Sequence, residues 1–163
     1  MASTNAVSED VLISGGILVS GRGETRADLL ISNGRVTAVG LDLPKAARTI
    51  DATDLLVFPG GVDTHVHLME PGDPSREDFP SGTAAASASG VTTIIEHTHG
   101  HPIQEVEDLE AKKSHLTGRS NVDYGLAAHT WPDRVDQIAG LWRAGVSFFK
   151  ICLLYTSPSP RDS

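Results

Sequence analysis

The chain has 163 residues, 39% of them hydrophobic, enough for a domain with a real core. Its net charge of −8 argues against nucleic acid or an anionic membrane as a main partner. No stretch approaches the ~20 apolar residues of a membrane span, and a single cysteine excludes an internal disulfide and suits a reducing cytoplasm.

In chain order, Met1 to Ala6 show no charged segment followed by an apolar core. No secretory signal is read there, and a cytoplasmic location is expected. Residues 8–58 read as short strands with turn punctuation. Val11–Ser14 and Ile17–Val19 flank Gly15-Gly16, and Asp28–Ser32 and Arg35–Val39 flank Asn33-Gly34, a strong type I′ hairpin signal. A lone hairpin is marginal, so this leader is expected to form part of a small β-sandwich.

From residue 59 the rhythm changes. Strands are expected at Val62–Leu68, Val91–Ile95, Val122–Ala128 and Val146–Ile151. Helices are expected between them, over residues 78–89, 104–116 and 133–143. Strands spaced by helices mean βαβ units and a parallel sheet. Residues 59–151 therefore read as four β/α units, either half of a (β/α)8 barrel or part of an open doubly wound sheet. No glycine-rich phosphate loop follows the first strand, which weakens the dinucleotide-binding option.

The segment from Cys152 to Asp162 matches, residue for residue, a translated transposase adapter used in sequencing libraries. Residues 152–163 are expected to be a non-native tail, and the native protein to continue beyond Ile151.

Polar residues gather where the strands end, which in a (β/α)8 barrel is where catalytic groups stand. His65 and His67, one residue apart after the Pro59-Gly60-Gly61 turn, would share a strand face about 6–7 Å apart. That spacing lets both imidazoles reach one zinc ion; taken alone, two ordinary histidines fit equally well. Asp63 shares their parity, while Val62, Val66 and Leu68 would face into packing. The next strand ends bring Glu96-His97-Thr98-His99, then His129, then Lys150. Set among Phe148, Phe149 and Ile151, Lys150 would be desolvated, which favours a neutral, nucleophilic amine. A lysine that snorkels or pairs with a carboxylate is the plainer alternative.

Other features have duller readings. Glu105 to Lys113 is a solvated helix face, acids leading and lysines trailing as the helix dipole favours. Ala84 to Ser89 is small so that its helix can pack closely. His115 is most simply a surface residue.

The run from Pro59 to Gly72 resembles the opening motif of the cyclic amidohydrolases, the group of allantoinases, hydantoinases/dihydropyrimidinases and dihydroorotases. Phe79–Ala86 and Gly90–Ile95 continue the likeness, and Gly145–Lys150 is similar to the segment that bears the family's carboxylated lysine. The resemblance covers residues 10 to 151. It implies the N-terminal half of a metal-dependent hydrolase (β/α)8 barrel preceded by part of a small β-sandwich. It also implies two zinc ions per active site, with His65 and His67 as ligands of the first and Lys150, as a carbamate, bridging both. Family members take two more histidines and a catalytic general-base aspartate from later strands, none matched here. The implied parent is homo-oligomeric and acts on a small cyclic ureide or amide. Met69 stands where dihydroorotases carry an arginine for the substrate carboxylate, and Glu70-Pro71-Gly72 is closer to allantoinases than to hydantoinases. Met69, His97 and His129 are candidate substrate contacts.

The run His97-Thr98-His99-Gly100-His101 matches no family pattern. It could be a substrate-facing cluster, an additional metal site or a polar loop. Functional readings to be compared are therefore ring opening of an allantoin- or hydantoin-type substrate, with dihydroorotase or dihydropyrimidinase as alternatives; a non-enzymatic scaffold relative of the dihydropyrimidinases; and an isolated chain that is inactive because truncated.

Overall fold

The computed structural model describes residues 10–151, so the adapter-like tail lies outside the described residues. The chain divides between Pro59 and Gly60 into two compact units.

The first unit is all β. Strands β1 (Val11–Ser14), β4 (Asp28–Ser32), β5 (Arg35–Gly40) and β6 (Arg48–Asp51) form one sheet in the order β5-β4-β1-β6. A second sheet holds β3 (Gly23–Arg26), β2 (Ile17–Ser20) and β7 (Leu56–Val57) in that order. Asn33 and Gly34 take φ of 50° and 72°, the two positive angles that a type I′ turn demands, and Ser32 pairs with Arg35 across them. Gly15 (φ 82°) lets the chain leave β1 for β2, where a Cβ would stand 2.8 Å from the Thr53 hydroxyl. β3 and β6 are exposed throughout and carry no apolar alternation, which is why sequence pattern did not reveal them.

In the second unit the order is β8 (Gly61–Val66), α1 (Phe79–Ala88), β9 (Val91–Glu96), α2 (Val106–Leu116), β10 (Asp123–His129), a 3-10 segment (Pro132–Gln137), α3 (Ile138–Ala144) and β11 (Phe148–Lys150). All four strands are parallel, in the order β11-β10-β9-β8, so each lies beside its predecessor. A doubly wound sheet would reverse direction at a switch point. Among the described residues there is no reversal.

One face of this sheet carries the core. Ile94, Leu126 and Ala128 from the strands pack with Phe79, Leu109, Leu116 and Leu141 from the helices. Because strand side chains alternate, their sequence neighbours fall on the other face. Helix starts are well specified: the Asp78 carboxylate accepts from the Ser81 N–H at 2.8 Å, and Asp108 accepts from the N–H of Gln104 and Glu105.

Several expectations need correction. Val62 is 61% exposed: it pairs with Thr93, on the face opposite the core residue Ile94, and the register shift between Asp63 and Val66 is what brings Val66, and Leu68 beyond it, to the helix-side core. Ala84, Ala85 and Ala88 are exposed. Close approach occurs one turn earlier, at Gly82, where a Cβ would meet Leu68 Cδ2 at 2.4 Å. The third helix begins as a 3-10 segment at Pro132, with Arg134 outside helical angles at φ −124°. Lys112, read as part of a solvated face, is buried at 3% exposure; it pairs there with the fully buried Glu96 and donates to Thr98.

Candidate metal centre

The register of β8 shifts between Asp63 and Val66, so Asp63, expected on the histidine face, pairs with the core residue Ile94 instead, and the residues beyond the shift decide where the histidines point. Val66 and Leu68 belong with the helix-side core, so His65 and His67 occupy the opposite face. The register of the sheet then brings later residues to them. The His97 N–H bonds the Val66 carbonyl at 2.8 Å, and His129 lies opposite Lys150 in the β10–β11 ladder. His65, His67, His97, His99, His129 and Lys150 thus gather at the C-terminal ends of four adjacent strands.

Lys150 Nζ stands 3.3 Å from His65 Nε2. The His65 and His67 rings are 5.1 Å apart between centroids, at 72°. His67 Nδ1 bonds the His97 carbonyl; since a carbonyl only accepts, the proton is on Nδ1 and Nε2 keeps its lone pair. That Nε2 is 3.2 Å from His99 Nε2. His97 stacks on His65 with centroids 4.5 Å apart and meets Phe148 edge-on. Its Nε2 donates to the Thr64 carbonyl at 2.9 Å, which leaves a buried Nδ1 without a partner. His129, beside Trp131, likewise has a buried Nε2 without a partner. Lys150 is half-buried, less enclosed than its aromatic neighbours suggested, because Phe149 turns to the helix-side core.

Burial pushes His97 down to about 4, against the opposing bond to the Thr64 carbonyl. Burial also takes His129 down to about 4, helped by the charge of Lys150. His67 is lowered by burial, with the His97 carbonyl opposing. All three are therefore neutral near pH 7, the form in which imidazole binds metal. No three His, Cys, Asp or Glu side chains converge on one point among the described residues. The donors face one another in pairs instead: His65 with Lys150, and His67 with His99. Neutral imidazoles, one with its second nitrogen fixed by a backbone carbonyl, are what a zinc-type ion takes. In their chemistry the residues present fit such an ion.

The remaining candidates lie elsewhere. Met69 occupies the loop after β8 at φ 56°, half-buried. His101 leaves the cluster and lines an open cleft with Pro71, Asp108, Lys112, His115 and Arg134. Glu70 has a structural task that the sequence did not show. Its buried carboxylate accepts from the Phe79 N–H at 2.6 Å, from His115 Nε2 at 2.9 Å and from Arg119 at 2.7 Å, tying the start of α1 to the end of α2.

Burial alone would raise the Glu70 pKa, yet these donors outweigh it and hold it below its ordinary value. A carboxylate depressed by folding contributes stability above its unfolded pKa and loses it as pH falls through the folded value. Glu70→Gln in the full-length protein should therefore cost on the order of 1–3 kcal/mol at pH 7. The gap from wild type should narrow steadily below about pH 5. Urea denaturation at a series of pH values measures it, and a gap constant down to about pH 3 would refute the assignment.

Residues 56–128 match the amidohydrolase family. The chain carries an amidohydrolase family domain. It is 34% identical over 154 residues to a D-hydantoinase of Geobacillus stearothermophilus, covering 88% of this chain and 32% of that protein. It is 39% identical over 144 residues to an allantoinase of Rubrobacter xylanophilus, covering 86% and 32% respectively. Among solved structures, an L-hydantoinase (dihydropyrimidinase) from Arthrobacter aurescens superposes with a TM-score of 0.79 at 34% identity, again over 86% of this chain and 32% of the other. The chain spans about a third of the length of these relatives. Among the described residues, no helix is long and apolar enough to cross a membrane.

Proposed function

We propose that the amidohydrolase protein to which this chain belongs opens a cyclic amide of the allantoin or hydantoin type by hydrolysing a ring C–N bond. The observation that carries this reading is the meeting of His65, His67 and Lys150 on one sheet face at the strand ends, with Lys150 Nζ 3.3 Å from His65 Nε2. His65, His67 and Lys150 would hold a binuclear zinc centre. Bound there, the metal pair would polarise the amide carbonyl and supply hydroxide at neutral pH.

The chain's own residues prepare the site. The His97 carbonyl fixes the His67 tautomer, and the stacked His97 ring backs His65. Lys150, as the free amine, would add to carbon dioxide: its nitrogen forms the N–C bond and gives up a proton, and the resulting carbamate offers two oxygens as ligands. His97 and His129, neutral and partly enclosed, flank the site as candidate substrate contacts. The general-base aspartate and further ligands are assigned to later strands of a (β/α)8 barrel, of which residues 59–151 would supply the first four units. Residues 8–58 would supply part of a β-sandwich. On this reading the isolated chain is inactive, the parent is a cytoplasmic homo-oligomer, and a non-enzymatic scaffold role is disfavoured because a scaffold needs no metal ligands.

The choice of substrate rests on charge. Dihydroorotate carries a carboxylate, and a thioether at Met69 cannot form the bidentate, charge-assisted contact that an arginine would. Measured on the metal-loaded full-length protein, kcat/KM for allantoin or hydantoin should exceed that for dihydroorotate by at least about a hundredfold, the worth of a lost contact of a few kcal/mol. Dihydroorotate as the best of a panel that includes dihydrouracil would overturn the proposal.

A further inference from the structure

We infer that His99 is a ligand of the metal centre, sharing one divalent cation of zinc-like preference with His67. The inference rests on the metal-centre reading above and adds a donor that the family motif does not supply.

Three observations support it. The first is a sequence echo made spatial by the fold: His65-Val66-His67 spans the end of β8 and His97-Thr98-His99 follows β9, so two H-x-H triplets stand at the C-terminal ends of adjacent parallel strands. The second is distance and tautomer. His67 Nδ1 is committed to the His97 carbonyl, and its lone-pair Nε2 faces His99 Nε2 at 3.2 Å. Two imidazole nitrogens bound tetrahedrally to one zinc ion, each at about 2.0–2.1 Å, stand about 3.3–3.4 Å apart. The third is anchorage. His99 is exposed, but the two residues before it are not: His97 is 3% and Thr98 1% exposed. Thr98 donates to Glu96 at 2.8 Å and accepts from Lys112, so the base of the segment is pinned from the helix side. A fixed base makes His99 a placed donor, unlike His101 two residues on, which turns to another cleft.

The competing account is that His99 merely donates an N–H to His67 and orients it. Glutamine separates the two, because its amide can donate that hydrogen bond but is a poor ligand for a zinc-type ion. The test uses full-length protein, stripped and reloaded with Co2+ as probe, comparing wild type with His99→Ala, His99→Gln, His101→Ala and His65→Ala. Both His99 variants should bind Co2+ more than about a hundredfold more weakly, beyond the 10–100-fold typical of losing an outer hydrogen-bond partner. Their visible cobalt absorption should shift, and X-ray absorption should count one fewer imidazole, while His101→Ala stays like wild type. A His99→Gln protein with wild-type affinity, spectrum and imidazole count would overturn the inference, as would an unchanged His99→Ala protein. If His65→Ala is also indistinguishable from wild type, the metal-centre reading itself fails. Should His99→Ala not fold, the imidazole count in wild type against His99→Gln decides alone.

Discussion

Lys150→Ala in the full-length protein is expected to abolish binding of a metal pair and to reduce kcat/KM by at least about a thousandfold, roughly 4 kcal/mol of transition-state stabilisation. The lysine is 3.3 Å from His65 Nε2 and pairs in register with His129, so its removal takes from the cluster the amine that would carry the bridging carbamate. Short carboxylic acids should restore part of both metal content and turnover, since a carboxylate offers the same pair of oxygens as a carbamate. Metal analysis and activity assays with and without added acetate or propionate measure this. Full metal occupancy in the alanine variant would count against the bridging role.

The second large effect concerns stability, on the other side of the sheet. Lys112 and Glu96 form an ion pair at 3% and 0% side-chain exposure, closed by the Thr98 hydroxyl. Burial pulls the Lys112 pKa down, while Glu96 opposes that shift. Lys112→Met leaves the Glu96 carboxylate buried without its cation, a change that typically costs 3–5 kcal/mol. Replacing both partners, as Glu96→Leu with Lys112→Met, removes the stranded charge and should recover about half of that loss or more. Denaturant unfolding of the full-length protein would show it. A single variant that loses less than about 1 kcal/mol would mean that water or another cation already serves Glu96.

The sequence disclosed those features that leave a periodic or local mark. Asn33-Gly34 announced its hairpin because few dipeptides accept two positive φ angles, and the Val91–Ile95 run announced a strand because buried parallel strands are rich in β-branched residues. The spacing of His65 and His67 placed them on one face, and the helix-side burial of Val66 and Leu68 fixes which face that is. What stayed hidden depends on contacts between distant segments. Lys112 reads as one more surface lysine until β9 presents Glu96 to it from sixteen residues away. Glu70 reads as a family marker until its three donors arrive from α1, His115 and Arg119. The run from His97 to His101 has no internal signal saying that two of its histidines turn to the cluster and the third away. Only the sheet register decides that.

The strand order β8-β9-β10-β11 also bears on how this unit comes to be folded. Every ladder joins a strand to the one synthesised just before it, across a connection of about thirty residues or fewer. Among the described residues each of these ladders closes locally, so loop-closure entropy stays small at each step; in a complete (β/α)8 barrel only the outer edge of β8 would wait for the last strand. Growth can keep pace with the ribosome: α1 and α2 can cover β9 while later residues are still being made, and each added β/α unit docks on an edge already in place. The histidine cluster would then form in instalments, His65 and His67 first, His97 and His99 next, and Lys150 last. Full ligation would therefore follow chain elongation rather than precede it.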